Sequence, residues 1–271
     1  MVYIICIFIG MLTAFTGSLI GIGGGVILIP SLLYLHRYVD AFAWATPQMI
    51  VGISLMVMIF TALSSTIAYL KKGRVDYKTG WLFLTGSIPG GIIGSWISKT
   101  VNVDQFTLYF GLLMIVISFL FFIRRKGVTK PLIKGKTTRA FQLNGSTYQY
   151  SVSVIPAFII SLIVGVLSGL FGIGGGAIMV PSMILLFGYP AHIASATSMF
   201  MILFISTISA STHLYMGHIV WEYVIFFIPA AYIGGKMGAY VNQRLKGNTL
   251  EWVLRILLIV IGCRLIFDGI T

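Results

Sequence analysis

Charge is what this sequence has least of. Asp, Glu, Lys and Arg together make up 9% of its 271 residues, whereas charged residues make up about 25% of a soluble globular domain. Hydrophobic residues account for 58% of the chain. This composition excludes an ordinary soluble domain and predicts an all-α integral membrane protein.

Cysteine and acidic residues are also rare. Both cysteines, Cys6 and Cys263, lie in apolar segments, so neither a disulfide framework nor a metal site is predicted. The six acidic residues fall in loops or near segment ends: Asp40, Asp76, Asp104, Glu222, Glu251 and Asp268. No carboxylate is therefore expected at the membrane core to bind a cation or relay protons. No pair of carboxylates and no nucleophile with a base shares a segment, so we predict neither an enzyme nor a cofactor.

Apolar segments take up most of the chain. Most of them reach the ~20 residues that a helix needs to span a bilayer. They cover roughly residues 1–35, 47–70, 80–98, 105–123, 152–188, 191–216, 223–241 and 250–268. The first segment contains no Lys or Arg, unlike a cleavable signal peptide, so we expect it to remain in the mature protein.

A glycine-rich motif occurs twice. GIGGGVILIPS at 21–31 and GIGGGAIMVPS at 172–182 agree at eight of eleven positions. Beyond the motif the similarity continues at an offset of 144 residues, from Ser54 to Ser198 and from Gly73 to Gly217. The sequence therefore predicts a first membrane repeat at 1–123, a linker at 124–150 and a second membrane repeat at 151–271.

The basic residues predict that the two repeats have inverted topology. The formal net charge is +12, but Lys and Arg cluster in short loops, where they orient membrane segments and do not indicate nucleic-acid binding. The loop at 71–78 holds four basic residues and its counterpart YMGHIVWEY none, whereas NQRLKGN holds two where the first half has only Lys99. An odd number of segments per repeat places equivalent loops of the two halves on opposite faces of the membrane and so accounts for the reversed charge bias. Four parallel segments per half would place these loops on the same face.

The inverted arrangement has consequences for topology. We expect about five segments in each half, ten in all, of which eight are full helices. The basic loops and the linker are expected on the cytoplasmic side of the cell (inner) membrane, with both termini outside.

The glycine motifs are predicted to break helices at membrane depth. After Gly25 the apolar run lasts about eleven residues, or ~17 Å of helix, too short for a hydrocarbon core of ~30 Å. The run that starts at Gly176 is equally short. Each motif is therefore expected to form the tip of a hairpin that leads into a half-helix.

Such a tip is suited to bind an anion. Glycines permit positive φ, and the first N–H groups of a half-helix lack intrahelical partners and lie at the positive end of its dipole. Inverted repeats bring two such tips together near the midplane. The predicted binding residues are Gly21, Gly23, Gly24, Gly25, Gly172, Gly174, Gly175 and Gly176. The alternative is that the glycines serve helix packing only.

Polar residues of the third segments are further candidates. Ser54, Thr197 and Ser198 offer small hydrogen-bond donors for an oxyanion, and Gln48 precedes Ser54. The alternative for these hydroxyl groups is a bond to the backbone of their own helix.

Two charged or titratable residues complete the candidates. Lys236 either lines the transport path or extends to the membrane edge. His213 stands where the first half has Tyr69, and it is either a titrating group in the path or a structural residue.

The central linker contains AFQLNGSTYQYSV. Asn144 and Gly145 are typical of a type I′ turn between alternating residues. The linker is therefore predicted to form a small cytoplasmic β-hairpin.

These motifs resemble the TauE/SafE sulfite exporter family, also called toluene sulfonate uptake permeases. The resemblance rests on the duplicated GxGGG with its following proline, on residues 196–198 and on the stretch 213–217, and it covers the chain apart from the linker. It implies a secondary transporter of sulfur-containing anions, such as sulfite, thiosulfate, sulfate or organosulfonates, usually by export. The first half departs from the pattern, with Ile53 and Tyr69 in place of Thr197 and His213.

We therefore expect an oxyanion to bind between the two tips and to cross the lipid bilayer by alternating access. Either a proton or a sodium ion could be coupled to this movement, and a homo-oligomer is compatible with the sequence. Two alternatives stay open. A channel for water or small solutes would also use half-helices, and in a non-transporting scaffold subunit the glycines would only pack.

Overall fold

The computed structural model describes residues 2–101, 103–122, 138–143, 146–245, 252 and 256, and most of these are helical. The first half contains α1 (Val2–Ile20), α2 (Gly25–Tyr38), α3 (Pro47–Leu70), α4 (Tyr77–Ile97) and α5 (Val103–Phe122). Short 3₁₀ turns follow α2 at Asp40–Phe42 and α4 at Ser98–Thr100.

The second half has the same order of helices. It contains α6 (Val154–Phe171), α7 (Gly176–Phe187), α8 (Ala191–Tyr215) and α9 (Trp221–Asn242). The tenth segment predicted at 250–268 lies outside the described residues, apart from positions 252 and 256.

The lengths of the helices separate membrane-spanning elements from half-helices. Within the described residues, α1, α3, α6, α8 and α9 are long and apolar enough to cross a membrane. Helix α2 has 14 residues and α7 has 12, or ~21 and ~18 Å at 1.5 Å per residue. Both therefore fall short of a hydrocarbon core of ~30 Å. The predicted helix breaks at the glycine motifs are present in both halves.

Glycines allow close contacts between helices of the two halves, namely between α4 and α6 and between α1 and α9. Helix α4 packs against α6 so closely that a Cβ atom on Gly90 would lie 2.3 Å from the carbonyl oxygen of Leu162. Helix α9 packs against α1 in the same way. A Cβ atom on Gly238 would lie 2.1 Å from the carbonyl oxygen of Phe15. At both contacts a glycine lets the two helices pack closely, as small residues do in membrane proteins.

Helices α3 and α8 pack against each other at the centre and are the most deeply buried of the spanning helices. They occupy equivalent positions in the two halves, since Ser54 and Ser198 lie 144 residues apart. The two glycine motifs lie against this central pair, which determines what surrounds them.

The predicted β-hairpin is confirmed. Strand β1 (Thr138–Leu143) pairs antiparallel with β2 (Ser146–Ser151), with Leu143 opposite Ser146. This register leaves two residues for the turn, as predicted, but Asn144 and Gly145 themselves lie outside the described residues.

A buried network attaches the hairpin to the membrane helices. Tyr150 of β2 donates its hydroxyl to Asp76 Oδ2 at 2.5 Å, and its ring lies 3.9 Å from that of Tyr189. Thr79 donates to the same carboxylate oxygen at 2.7 Å. Asp76 thus lies at the start of α4, where a segment end was predicted, but it is buried and its carboxyl group accepts hydrogen bonds from Thr79 and Tyr150.

Candidate functional site at the two glycine tips

Both glycine motifs form the same irregular turn. Gly21, Gly23 and Gly24 have φ of 88, 88 and 99°, and we call residues 21–25 the first tip. Residues 172–176 form the second tip, where the glycines equivalent to these three have φ of 69, 68 and 74°. L-amino acids rarely adopt such values, so these six glycines are required by the backbone and not by packing alone.

Each tip ends at the N-terminus of a half-helix. In the first tip, Ile27 and Leu28 donate their N–H groups to the carbonyl oxygen of Gly24 at 3.0 and 3.1 Å. The N–H groups of Gly25 and Val26 precede these first bonds of α2. The second tip repeats this pattern at the start of α7. The positive ends of two helix dipoles therefore lie at the tips.

The two tips are in direct contact with each other. A Cβ atom on Gly25 would lie 2.4 Å from the carbonyl oxygen of Gly172, and one on Gly176 would lie 2.6 Å from the carbonyl oxygen of Gly21. All four residues are buried. The contact is reciprocal: a carbonyl oxygen of each tip lies against the first residue of the half-helix that follows the other tip.

The two predicted serines hold these same carbonyl oxygens. Ser54 of α3 donates its hydroxyl to the Gly172 oxygen at 2.7 Å, and Ser198 of α8 donates to the Gly21 oxygen at 2.8 Å. Both serines are fully buried. The bond from each serine reaches the tip of the other half, so the site is assembled from both repeats.

Two apolar side chains that sequence reasoning missed close the centre of the site. A Cβ atom on Gly23 would lie 3.0 Å from Met58 Sδ and 3.2 Å from Ile202 Cδ1. Gly174 of the second tip lies against the same two side chains. Met58 and Ile202 each follow a serine of the site by four residues and therefore lie on the same helix face as that serine. This spacing is the sequence feature from which their position at the site could have been predicted.

Thr197 lies beside the site but has another partner. Its Oγ1 accepts the backbone N–H of Asp76 at 3.1 Å. This bond supports the start of α4 and leaves Thr197 outside the contact between the tips. Its counterpart in the first half is Ile53, so this part of the site is not symmetric.

His213 and Tyr69 make equivalent contacts although they differ in type. His213 is fully buried, and its Nε2 donates to the carbonyl oxygen of Gly169 at 3.3 Å. Tyr69 donates its hydroxyl to the carbonyl oxygen of Ser18 at 2.9 Å. Both carbonyls belong to the helix end three residues before a tip, so each side chain holds the helix that leads into its tip.

A second histidine lies next to His213. The Nδ1 atoms of His213 and His218 are 3.2 Å apart. His218 lies in the loop between α8 and α9, where burial and the nearby positive charge of Lys99 lower its pKa below the usual value.

The remaining two candidates lie away from the tips. Gln48, at the start of α3, donates its Nε2 to the carbonyl oxygen of Val101 at 3.0 Å. Lys236 lies on the exposed face of α9 with Ile233 and Met237. This position fits an extension of Lys236 toward the membrane edge and does not bring it to the tips.

A known protein family matches nearly the whole chain. The family described as Sulfite exporter TauE/SafE matches residues 6–265. The chain belongs to the TauE/SafE sulfite exporter family. The resemblance inferred from the duplicated glycine motifs is thereby confirmed.

Relatives cover nearly the whole chain. Probable membrane transporter protein YunE of Bacillus subtilis (strain 168) is 43% identical over 273 residues, covering 100% of this chain and 99% of that protein. Probable membrane transporter protein MJ0441 of Methanocaldococcus jannaschii is 27% identical over 274 residues, covering 94% and 92%. A probable membrane transporter protein of Xylella fastidiosa (strain Temecula1) is 25% identical over 239 residues, covering 88% and 84%. No solved structure matches the chain.

These matches set the general class of the TauE/SafE chain. Its relatives are named membrane transporters, and five of its described helices can cross a membrane. It is a multi-pass membrane protein of a transporter family and not an enzyme.

Proposed function

We propose that this chain is a secondary transporter of sulfur-containing oxyanions, such as sulfite, thiosulfate, sulfate or organosulfonates. The family name, Sulfite exporter TauE/SafE, supports this substrate class and export as the direction. The anion binds between the two tips near the bilayer midplane and crosses by alternating access.

One observation carries the proposal. The carbonyl oxygens of Gly21 and Gly172 each lie at the start of the opposite half-helix and accept a serine hydroxyl. Two oxygens of an anion can replace these two carbonyl oxygens when the tips separate. The hydroxyls of Ser54 and Ser198, together with the first N–H groups of α2 and α7, then donate to the anion.

The closed contact also provides a gate. Met58 and Ile202 lie against both tips and are buried. Their apolar side chains prevent an ion from passing while the tips are together, because an unpaired ion would have to lose its hydration there. Movement of the tips relative to α3 and α8 opens the path on one side at a time.

We propose that the two repeats are inverted, which gives the two tips opposite orientations in the membrane. In this arrangement the loop that contains Gly73 and the β-hairpin face the cytoplasm, and the loop that contains Gly217 faces outward. Both glycines have open space around them, so a side chain can be placed there without a clash.

Cysteine labelling measures this orientation. In a background without Cys6 and Cys263, Gly73→Cys and Gly217→Cys are expected to react with a membrane-impermeant maleimide from opposite faces of the membrane. Accessibility is checked on permeabilised vesicles, where both variants must react. Labelling of both positions from the same face contradicts the inverted arrangement.

Purified protein in liposomes tests the function itself. We expect saturable movement of at least one anion from a panel of sulfite, thiosulfate, sulfate and an alkylsulfonate, with acetate and chloride as comparison ions. Gly24→Leu and Gly175→Leu serve as inactive controls, since both positions have positive φ and lack room for a side chain. The proposal fails if no sulfur anion moves, and a flux that does not saturate favours a channel.

A further inference from the structure

Three polar side chains from distant parts of the sequence meet beside the first tip. Arg74 lies in the loop between α3 and α4, His192 in the first turn of α8 and Asn242 at the end of α9. Arg74 Nη2 donates to the carbonyl oxygen of Gln243 at 3.3 Å, next to Asn242. His192 lies within electrostatic reach of Arg74 and beside the side chain of Asn242.

Each of the three carries a buried polar atom without a partner. Among the described residues, Arg74 Nη1, His192 Nδ1 and Asn242 Oδ1 make no hydrogen bond of ordinary geometry, although the side chains of His192 and Asn242 are close enough to interact with each other. Asn242 is fully buried, and its Nδ2 already donates to the carbonyl oxygen of Leu19 at 2.6 Å. Unpartnered buried polar atoms are costly and uncommon, so Arg74 Nη1 next to this incompletely bonded pair indicates a ligand.

The charges around the cluster favour an anion. The guanidinium group of Arg74 has no ion pair in the described part of the chain, and the carboxylate of Asp76 instead accepts from Thr79 and Tyr150. Helix α8 begins at Ala191, and its first intrahelical bonds start at the N–H of Ile193. The positive end of the α8 dipole therefore lies at His192 and adds to the charge of Arg74.

The cluster is continuous with the first tip. Asn242 holds the carbonyl oxygen of Leu19, and Ser195, one helical turn after His192, donates to the carbonyl oxygen of Ile20 at 2.8 Å. Gly21 follows directly and lies against the backbone of Ser195. One turn of helix is about 5.4 Å, so an anion bound at the cluster lies about one helical turn from the first tip.

We propose that Arg74, His192, Asn242 and the N-terminus of α8 form a second anion subsite, from which the transported oxyanion enters or leaves the contact between the tips. This inference rests on the proposed transport function. Arg74 Nη1 and the first N–H groups of α8 bind the oxygens of the anion. His192 lies beside Asn242 and forms one side of the subsite.

The equivalent positions at the other end of the path carry different side chains. The offset of 144 residues relates Arg74 to His218, His192 to Gln48 and Asn242 to Ser98. A permanent guanidinium charge at one end thus corresponds to a histidine near Lys99 at the other. The anion is therefore held more tightly on the Arg74 side, and the apparent KM differs between the two faces of the membrane.

Thermal unfolding of the purified full chain tests the subsite with sulfate as the probe and with phosphate and chloride as comparison ions. A ligand that binds the folded state raises Tm with its concentration. We expect Arg74→Gln to need about tenfold more sulfate for the same rise, a loss typical of one charge-assisted contact. His192→Gln, which introduces the side chain of the equivalent position 48, is expected to weaken sulfate binding less.

Lys72→Gln is the matched control, because it removes the same charge from an exposed position of the same loop. Equal sulfate responses of Arg74→Gln and Lys72→Gln overturn the subsite, and so does the absence of any rise with sulfate in the unmodified protein. If sulfate binding depends on Arg74 but no sulfur anion is transported, the proposed transport function is wrong and the anion-binding site at Arg74 is still supported. Saturable transport with an unchanged KM in Arg74→Gln refutes the subsite alone.

Discussion

Replacing Gly25 by alanine is expected to reduce transport by about tenfold or more, because the added methyl group keeps the two tips apart. Its Cβ would lie 2.4 Å from the Gly172 carbonyl oxygen and 3.0 Å from Ile173 Cα, which are backbone atoms and cannot rotate away. Overpacking of this kind costs about 1–3 kcal/mol, and each 1.4 kcal/mol corresponds to about tenfold in an equilibrium. Initial rates of anion uptake into liposomes measure the effect.

Gly176→Ala is the reciprocal test, since its Cβ would lie 2.6 Å from the carbonyl oxygen of Gly21. Gly73→Ala is the control, because no atom lies within 4 Å of a Cβ added there, although Gly73 has a positive φ of 61° and Gly25 and Gly176 do not. The control therefore introduces backbone strain, which Gly25→Ala does not, but it introduces no clash. Transport by Gly25→Ala at the rate of Gly73→Ala would show that contact between the tips is not part of the cycle.

Replacing Ser54 and Ser198 together by alanine is expected to give the second large effect. Each substitution leaves the carbonyl oxygen of a buried glycine without its hydroxyl donor, which costs about 1–3 kcal/mol. It also removes a donor to the anion in the open state. We expect the double variant to unfold at a lower temperature and to show an apparent KM about tenfold higher, with each single variant in between.

Ser211→Ala is the matched control on α8. Ser211 is exposed, and its hydroxyl donates to the carbonyl oxygen of Thr207 in its own helix at 2.8 Å. Loss of such a local bond changes stability little. If the serine double variant lowers Tm but retains the KM of Ser211→Ala, the two hydroxyl groups stabilise the tips without contacting the anion.

The helices and the hairpin could be predicted from local features of the sequence. Apolar segments of sufficient length, the Asn-Gly pair and the repeated glycines each depend on residues that are neighbours in the chain. The helix breaks at Gly21–Gly24 could be predicted for the same reason, because only a short apolar run follows them. The residues from 246 onward, apart from 252 and 256, are not described, so the expected tenth segment stays a prediction.

The partners of the site residues could not be predicted in the same way. Ser54 was a candidate because it is a small donor in a repeated segment, but its bond to Gly172 joins residues 118 positions apart. Thr197 was a candidate for the same reason, yet it supports Asp76. Lys236 was a candidate because it lies near the middle of an apolar segment. Which face of that helix packs could not be predicted, since a helix that is apolar on all sides gives no periodic signal.

By itself, the sequence of this TauE/SafE chain determined that it is a membrane protein, that it is built from two related halves and that a glycine break occurs in each. Composition, segment length and backbone φ are properties of single residues or short stretches, and these set all three. Only the tertiary structure decided that the tips touch, that each serine holds the tip of the other half, that Met58 and Ile202 close the centre and that Arg74, His192 and Asn242 meet. These contacts join residues far apart in the chain, and they arise from how α3, α8 and the half-helices pack together.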